Sequence, residues 1–142
     1  MSSELSVHAV HLGGMRVIAE SGNHRVLTDY PLPVGATVEG LTSLELLLAS
    51  LASCAANSVM ALLKRKMNQS VTGLEVFARG MRRDEHPTVL TQIALEFVIK
   101  GTVEFEAAAK ALAASEEQLC PVWNMLKSGT PITAFFRVIR DS

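Results

Sequence analysis

Cysteine is scarce in this chain. There are two in 142 residues, Cys54 and Cys120, and 120 − 54 = 66 positions separate them. That spacing excludes a CxxC redox motif and the paired-cysteine zinc frameworks. The four histidines, His8, His11, His24 and His86, are scattered, and no HxH or HExxH pairing supports a metal site. No GxSxG, phosphate-binding glycine loop or dinucleotide fingerprint occurs. Net charge is only −1, so nothing favours nucleic acid or an anionic membrane as a partner. The first ten residues, MSSELSVHAV, lack the basic and long apolar regions of a secretory signal. With two cysteines and no signal, a cytoplasmic, reducing setting is expected, and a purely structural disulfide is not.

What the chain has in quantity is apolar surface. Apolar residues make up 49% and charged residues 19%, enough for a substantial core with some left for a subunit interface. At this length one domain, 1–142, is expected. The longest apolar run is residues 42–66, TSLELLLASLASCAANSVMALLKRK, with no glycine or proline inside it. Thr42 and Glu45 form a capping-box signature, and Lys64, Arg65 and Lys66 sit where a helix dipole favours cations. Leu44, Leu48, Leu51, Ala55, Val59 and Leu62 form one stripe at helical spacing. Leu47, Ser50, Cys54, Asn57 and Ala61 form a second, uncharged but polar, and Ala49, Ala52 and Ala56 a thin third. The run approaches membrane-span length, but Glu45 and the polar stripe favour a core helix buried on most sides. The hydroxyls of that stripe either bond the backbone one turn back or border a small polar cavity.

Around this helix the rest reads as β-β-β-α-β-β-α-α-β. Residues 5–12, 15–20 and 25–29 alternate as short strands separated by Gly13-Gly14 and Ser21-Gly22-Asn23 turns. Residues 30–41 contain two prolines and two glycines and form a long irregular loop, of the kind that is often functional. Residues 71–80 and 89–100 alternate as a hairpin, with Ile93, Leu95, Phe97 and Ile99 on one face. Residues 104–119 are alanine-rich and helical, with Phe105, Ala108, Leu112, Ser115 and Leu119 on one stripe. Pro121 opens a short helix, 121–127, and 132–139 is a final strand. Strands arranged in hairpins indicate an α+β fold of antiparallel strands.

Two lone cysteines in such a chain are either buried small hydrophobes or reactive groups. Cys120 precedes Pro121 at a helix start, where amides and the dipole favour a thiolate. Cys54 lies mid-helix, gains little from the dipole, and needs a cation from elsewhere if it reacts. Arg16 and Arg25 are the early candidates, against the plainer reading of solvated surface charges. Met60, Met67, Met125 and Trp123 read as core, with Trp123 also placed to wall a site.

The segments LELLLASLASCAANSV around Cys54, EEQLCPVWNML around Cys120 and DEHPTVLTQIALEFVIKG between them resemble the OsmC/Ohr family of osmotically inducible and organic hydroperoxide resistance proteins, in its OsmC-like branch. The resemblance covers almost the whole chain. It implies an intertwined homodimer with strands wrapped around long central helices. It implies a thiol peroxidase without metal, haem or flavin: Cys54 attacks an organic hydroperoxide, Cys120 resolves the sulfenic acid as a disulfide, and an external dithiol reduces it. Two departures stand out. The family's carboxylate after proline, ten residues before the first cysteine, is here Leu44 preceded by Ser43, while Glu45 lies one position later on the opposite face. The family's arginine directly after Gly-Gly is here displaced by Met15 to Arg16. Glu45 therefore reads either as a helix cap or as a catalytic carboxylate, and Arg16 as the thiolate stabiliser. The second function implied is a ligand-binding or redox-sensing module that keeps the fold and thiols without efficient turnover.

Overall fold

Gly13 and Gly14 both take positive φ (128° and 57°), a conformation open to glycine at little cost, and they reverse the chain between β1 (His8–Gly13) and β2 (Arg16–Ser21). The turn at Gly22 then leads into β3 (His24–Thr28). The computed structural model describes residues 2–141. β1 and β2 pair antiparallel from His8↔Glu20, and β2 and β3 from Val17↔Thr28. The order is β1-β2-β3.

The capping box forms as the sequence implies. Thr42 N–H donates to Glu45 Oε1 at 2.9 Å, and Glu45 N–H donates to Thr42 Oγ1 at 3.2 Å. It opens α1 (Ser43–Ala61), which continues as a π-helical turn, Leu62–Lys66. Next come β4 (Ser70–Arg82) and β5 (Leu90–Thr102), a long antiparallel hairpin running from Ser70↔Thr102 to Arg82↔Leu90. Gly101 is required there, because a Cβ would collide with the Ser70 carbonyl and φ is +129°. Then follow α2 (Phe105–Ala114), a second π-helical turn (Ser115–Leu119), α3 (Pro121–Leu126) and β6 (Ile132–Ile139).

The fold is α+β with the element order expected, and one pairing differs. β6 runs parallel to β5, from Ile93↔Ile132 to Lys100↔Ile139, in a sheet ordered β4-β5-β6. An antiparallel partner needs only a tight turn, whereas the helical segment 103–131 is long enough for a crossover that returns the chain in the same direction.

Two compact units divide the chain, Met1–Leu47 and Leu48–Ser142. The first has no apolar core among its described residues: Asp29 is its one buried side chain, while Leu5, Val7, Val10, Leu12 and Val26 stand exposed. In the second, α1 buries Leu51, Ala55 and Val59, and the following turn buries Leu62 and Leu63. The central strand β5 buries the expected face, Ile93, Leu95, Phe97 and Ile99, at about 1.5–3 kcal/mol of transfer free energy per side chain. Val98, on the other face, is also buried, since β4 and β6 flank it. Ala108, Ala111, Leu112 and Trp123 complete the core, whereas Met125, expected inside, is exposed.

The aliphatic stripe of α1 is thus the buried one. The helix is not buried on most sides, however. Ala49, Ser50, Ser53, Asn57 and Ala61 form an exposed, uncharged strip. Ser43–Lys66 is long and apolar enough to cross a membrane by length and composition alone, its most apolar 18 residues having a mean hydropathy of 1.9.

Candidate active site

The chemistry of the second unit centres on its two sulfurs. Cys54 lies on α1 one position before the buried Ala55 and is partly exposed. Cys120 is the N-cap of α3. Pro121 occupies the first helical position, where its missing N–H costs nothing, and Trp123 N–H donates to Cys120 Sγ at 3.5 Å. Cys120 is fully buried. The Cys54 thiol is close enough to act on the titration of Cys120, so the fold brings together thiols that lie 66 positions apart.

The expected thiolate character of Cys120 is not what this environment produces. Burial, the largest effect, together with the hydrogen bond and charge interaction with Cys54, pushes its pKa up from 9.0 to about 11. The amides of Trp123 and Val122 pull the other way and are outweighed. Desolvation removes more stabilisation from a buried thiolate than two N–H groups of a short helix restore. Cys120 is therefore held as a neutral thiol at physiological pH, beside a more accessible Cys54.

The surroundings of the pair are ordered by hydrogen bonds. Ser58, one turn beyond Cys54, lies 3.2 Å from the Ala55 carbonyl and 3.1 Å from the hydroxyl of Ser115. Ser53 likewise bonds back to the Ser50 carbonyl at 3.1 Å, the plain reading of the serine stripe. Ser115 is fully buried, and its carbonyl accepts the Cys120 N–H at 2.8 Å in the π-helical turn. Asn124 Nδ2 donates to the carbonyls of Glu116 and Glu117, and Lys127 Nζ to that of Glu116. Trp123 stacks on Phe97 with ring centroids 6.1 Å apart, and its buried Nε1 has no hydrogen-bond partner.

The other two residues singled out from the sequence lie in the first unit. Glu45 is engaged in the helix cap. Arg16 is paired not with Glu45 but with Glu39, at 3.4 Å between Nη1 and Oε2. Both ends of that pair are largely exposed, so it positions the guanidinium more than it stabilises the fold. Glu39 comes from the loop 30–41, which Asp29 holds: its Oδ1 accepts from the Tyr30 N–H and its Oδ2 from the Glu39 N–H. Gly14, Arg16, Asp29, Tyr30 and Ala36 are among the residues lining a cleft of about 280 Å³ in this unit. Arg25 pairs with Glu20 on the strand surface. Sequence reasoning missed Asp29 and Glu39; an acidic residue beside Gly40 in a long loop was the available signal. Ser115 was visible as a lone hydroxyl on an apolar helical stripe. No group of three metal-ligating side chains occurs among the described residues.

Comparison with known proteins agrees with this architecture. The model of the family described as OsmC-like protein matches residues 36–135. Protein YhfA of Escherichia coli strain K12 is 31% identical over 129 residues, covering 89% of this chain and 92% of its own. The crystal structure of a hypothetical protein from Aquifex aeolicus VF5 superposes with a TM-score of 0.88 at 26% identity, covering 99% of this chain and all of that one. An organic hydroperoxide resistance protein from Elizabethkingia anophelis shares the fold, with a TM-score of 0.70 at 19% identity over 99% of this chain and 100% of its own. From the matched span, which takes in both cysteines and the α1 helix, this chain belongs to the OsmC-like family.

Proposed function

We propose that the protein is a homodimeric, thiol-dependent reductase of organic hydroperoxides, with Cys54 peroxidatic and Cys120 resolving. The observation that carries the reading is the paired thiols in unequal settings: a partly exposed Cys54 against a buried Cys120 whose pKa is raised to about 11. The accessible sulfur meets the peroxide. Its thiolate attacks the outer oxygen, the O–O bond breaks, the alkoxide leaves and takes a proton as alcohol, and Cys54 becomes a sulfenic acid. The Cys120 thiol then attacks that sulfur. An S–S bond forms, the S–O bond breaks, and the hydroxyl departs with the thiol proton as water. An external dithiol supplies the two electrons and two protons that restore the pair. Relatives named for organic hydroperoxide resistance support an organic rather than an inorganic peroxide.

In this reading Arg16 is the cation that favours the Cys54 thiolate, and Glu39, rather than Glu45, orients it. A second copy of the chain is the partner. Among its described residues the first unit buries no apolar side chain, and α1 presents an uncharged strip of small residues; another subunit supplies the missing cover. Reduction of cumene hydroperoxide by a dithiol, compared between the parent and Cys54→Ser, tests the function. Loss of turnover is expected, and equal rates would remove the proposal. The capture of Glu45 by the helix cap favours a second reading, redox sensing without efficient turnover. That reading predicts stoichiometric thiol oxidation by peroxide with negligible multiple turnover.

A further inference from the structure

We propose that Ser58 and Ser115 are a positioning pair that sets the Cys54–Cys120 geometry and so controls the rate of disulfide closure. The proposal rests on the thiol reading above and deepens it. Ser58 lies four residues after Cys54, one turn along the same face of α1. Its hydroxyl is 3.1 Å from that of Ser115, which opens the π-helical turn leading to Cys120. The Ser115 carbonyl accepts the Cys120 N–H at 2.8 Å, and the Cys120 side chain reaches back to Cys54. These contacts close a ring: Cys54, one turn of α1, the hydroxyl pair, one π-helical turn, Cys120, and back to Cys54. Each cysteine is thus referenced to the other through a second, non-reactive tie.

The hydroxyl pair is not needed merely to satisfy Ser58, which already has the Ala55 carbonyl at 3.2 Å. Ser115 is fully buried on a stripe whose other buried members are Ala108 and Leu112, where an alanine would fit the pattern. A hydroxyl retained at such a place serves a directional contact. The step it serves balances as written above: Cys54–SOH and Cys120–SH give the disulfide and water. The rate of such an internal step depends steeply on how closely the reacting atoms are held in attack geometry. The first step, peroxide meeting Cys54, needs no register between α1 and the π-helical turn.

The test is single-turnover oxidation of Ser58→Ala, Ser115→Ala and the double variant, followed by quenching and mass spectrometry. Closure is expected to slow about tenfold in each variant, with initial Cys54 oxidation within about twofold of the parent. The sulfenic acid should accumulate, trapped by dimedone or driven to sulfinic acid at excess peroxide. The double variant should be no slower than the singles, as a single shared contact requires. Ser58→Thr, which keeps the hydroxyl, should close at the parent rate; a loss equal to that of Ser58→Ala would assign the effect to packing and overturn the proposal. Closure within about twofold of the parent in both alanine variants would overturn it as well. A second arm needs no peroxide: equilibration with reduced and oxidised glutathione measures the effective concentration of the two thiols. It should fall about tenfold in the variants, and an unchanged value sinks the positioning role. Should peroxide leave Cys54 untouched in the parent, the reductase reading falls, and this arm alone decides the proposal.

Discussion

The raised pKa of Cys120 makes a prediction that can be worked through. The shift from 9.0 to about 11 lowers its thiolate fraction at pH 8 by about a hundredfold relative to an unperturbed thiol, from roughly a tenth to roughly a thousandth. Thiol alkylation proceeds through the thiolate, so Cys120 in the folded protein should react with iodoacetamide at least about a hundredfold more slowly than the same cysteine in urea, with burial slowing it further. Part of the shift comes from Cys54, so Cys54→Ala should lower the Cys120 pKa while burial keeps it above 9.0. The sign for stability follows from proton binding. The unfolded chain releases this proton near pH 9.0 and the folded protein holds it to about 11, so between those values the unfolded state binds fewer protons and folding stability declines. The contribution is complete below pH 9.0 and is lost as pH rises through about 11. The assay is differential alkylation of the reduced protein against pH, each cysteine read separately by peptide mass spectrometry, with a parallel alkaline melting series. Titration of Cys120 near 9, or alkylation faster than Cys54 at pH 8, would refute the claim that burial outweighs the helix N-terminus.

Other consequences follow from the same structure. Arg16→Gln should lower kcat/KM for an organic hydroperoxide by about tenfold or more, and Glu39→Gln by less, because it loses only the orienting partner; unchanged kinetics in Arg16→Gln would remove the arginine from the mechanism. Val10→Glu and Ser53→Arg should each shift the sedimentation coefficient towards that of the monomer, and a parent that sediments as a monomer at micromolar concentration would contradict the proposed assembly. Thr42→Ala removes one side of the capping box and should cost about 1 kcal/mol in denaturant unfolding, without altering Cys54 reactivity if Glu45 serves only as a cap. Trp123 is the sole tryptophan and its backbone N–H donates to Cys120 Sγ, so oxidation of the pair should change its emission reversibly, with recovery on adding dithiol. Trp123→Ala, by emptying a buried site beside Phe97, should cost about 3–5 kcal/mol.

The local features of this chain were determined by residues within a few positions of one another. The capping box joins Thr42 to Glu45, the Gly13-Gly14 and Gly22 turns need positive φ, and Pro121 starts α3; each forms where the sequence places it. The alternation of β5 and the aliphatic stripe of α1 likewise identified the faces that are buried, because side-chain period follows directly from backbone geometry. Family membership was legible for the same reason, being carried by contiguous segments around each cysteine.

Tertiary structure alone decided what depends on residues far apart in the chain. The direction of β6 hinged on how the segment 103–131 returns, which no pairwise pattern encodes. The partner of Arg16 is Glu39, 23 positions on, delivered by a loop that Asp29 clamps through backbone amides. The Ser58–Ser115 contact spans 57 positions and joins two helical segments whose sequence patterns are independent. The meeting of Cys54 and Cys120 is of the same kind, and so is the protonation state of Cys120. A helix N-terminus can be read from Cys-Pro, but the desolvation that overrides it depends on which distant side chains close over the sulfur.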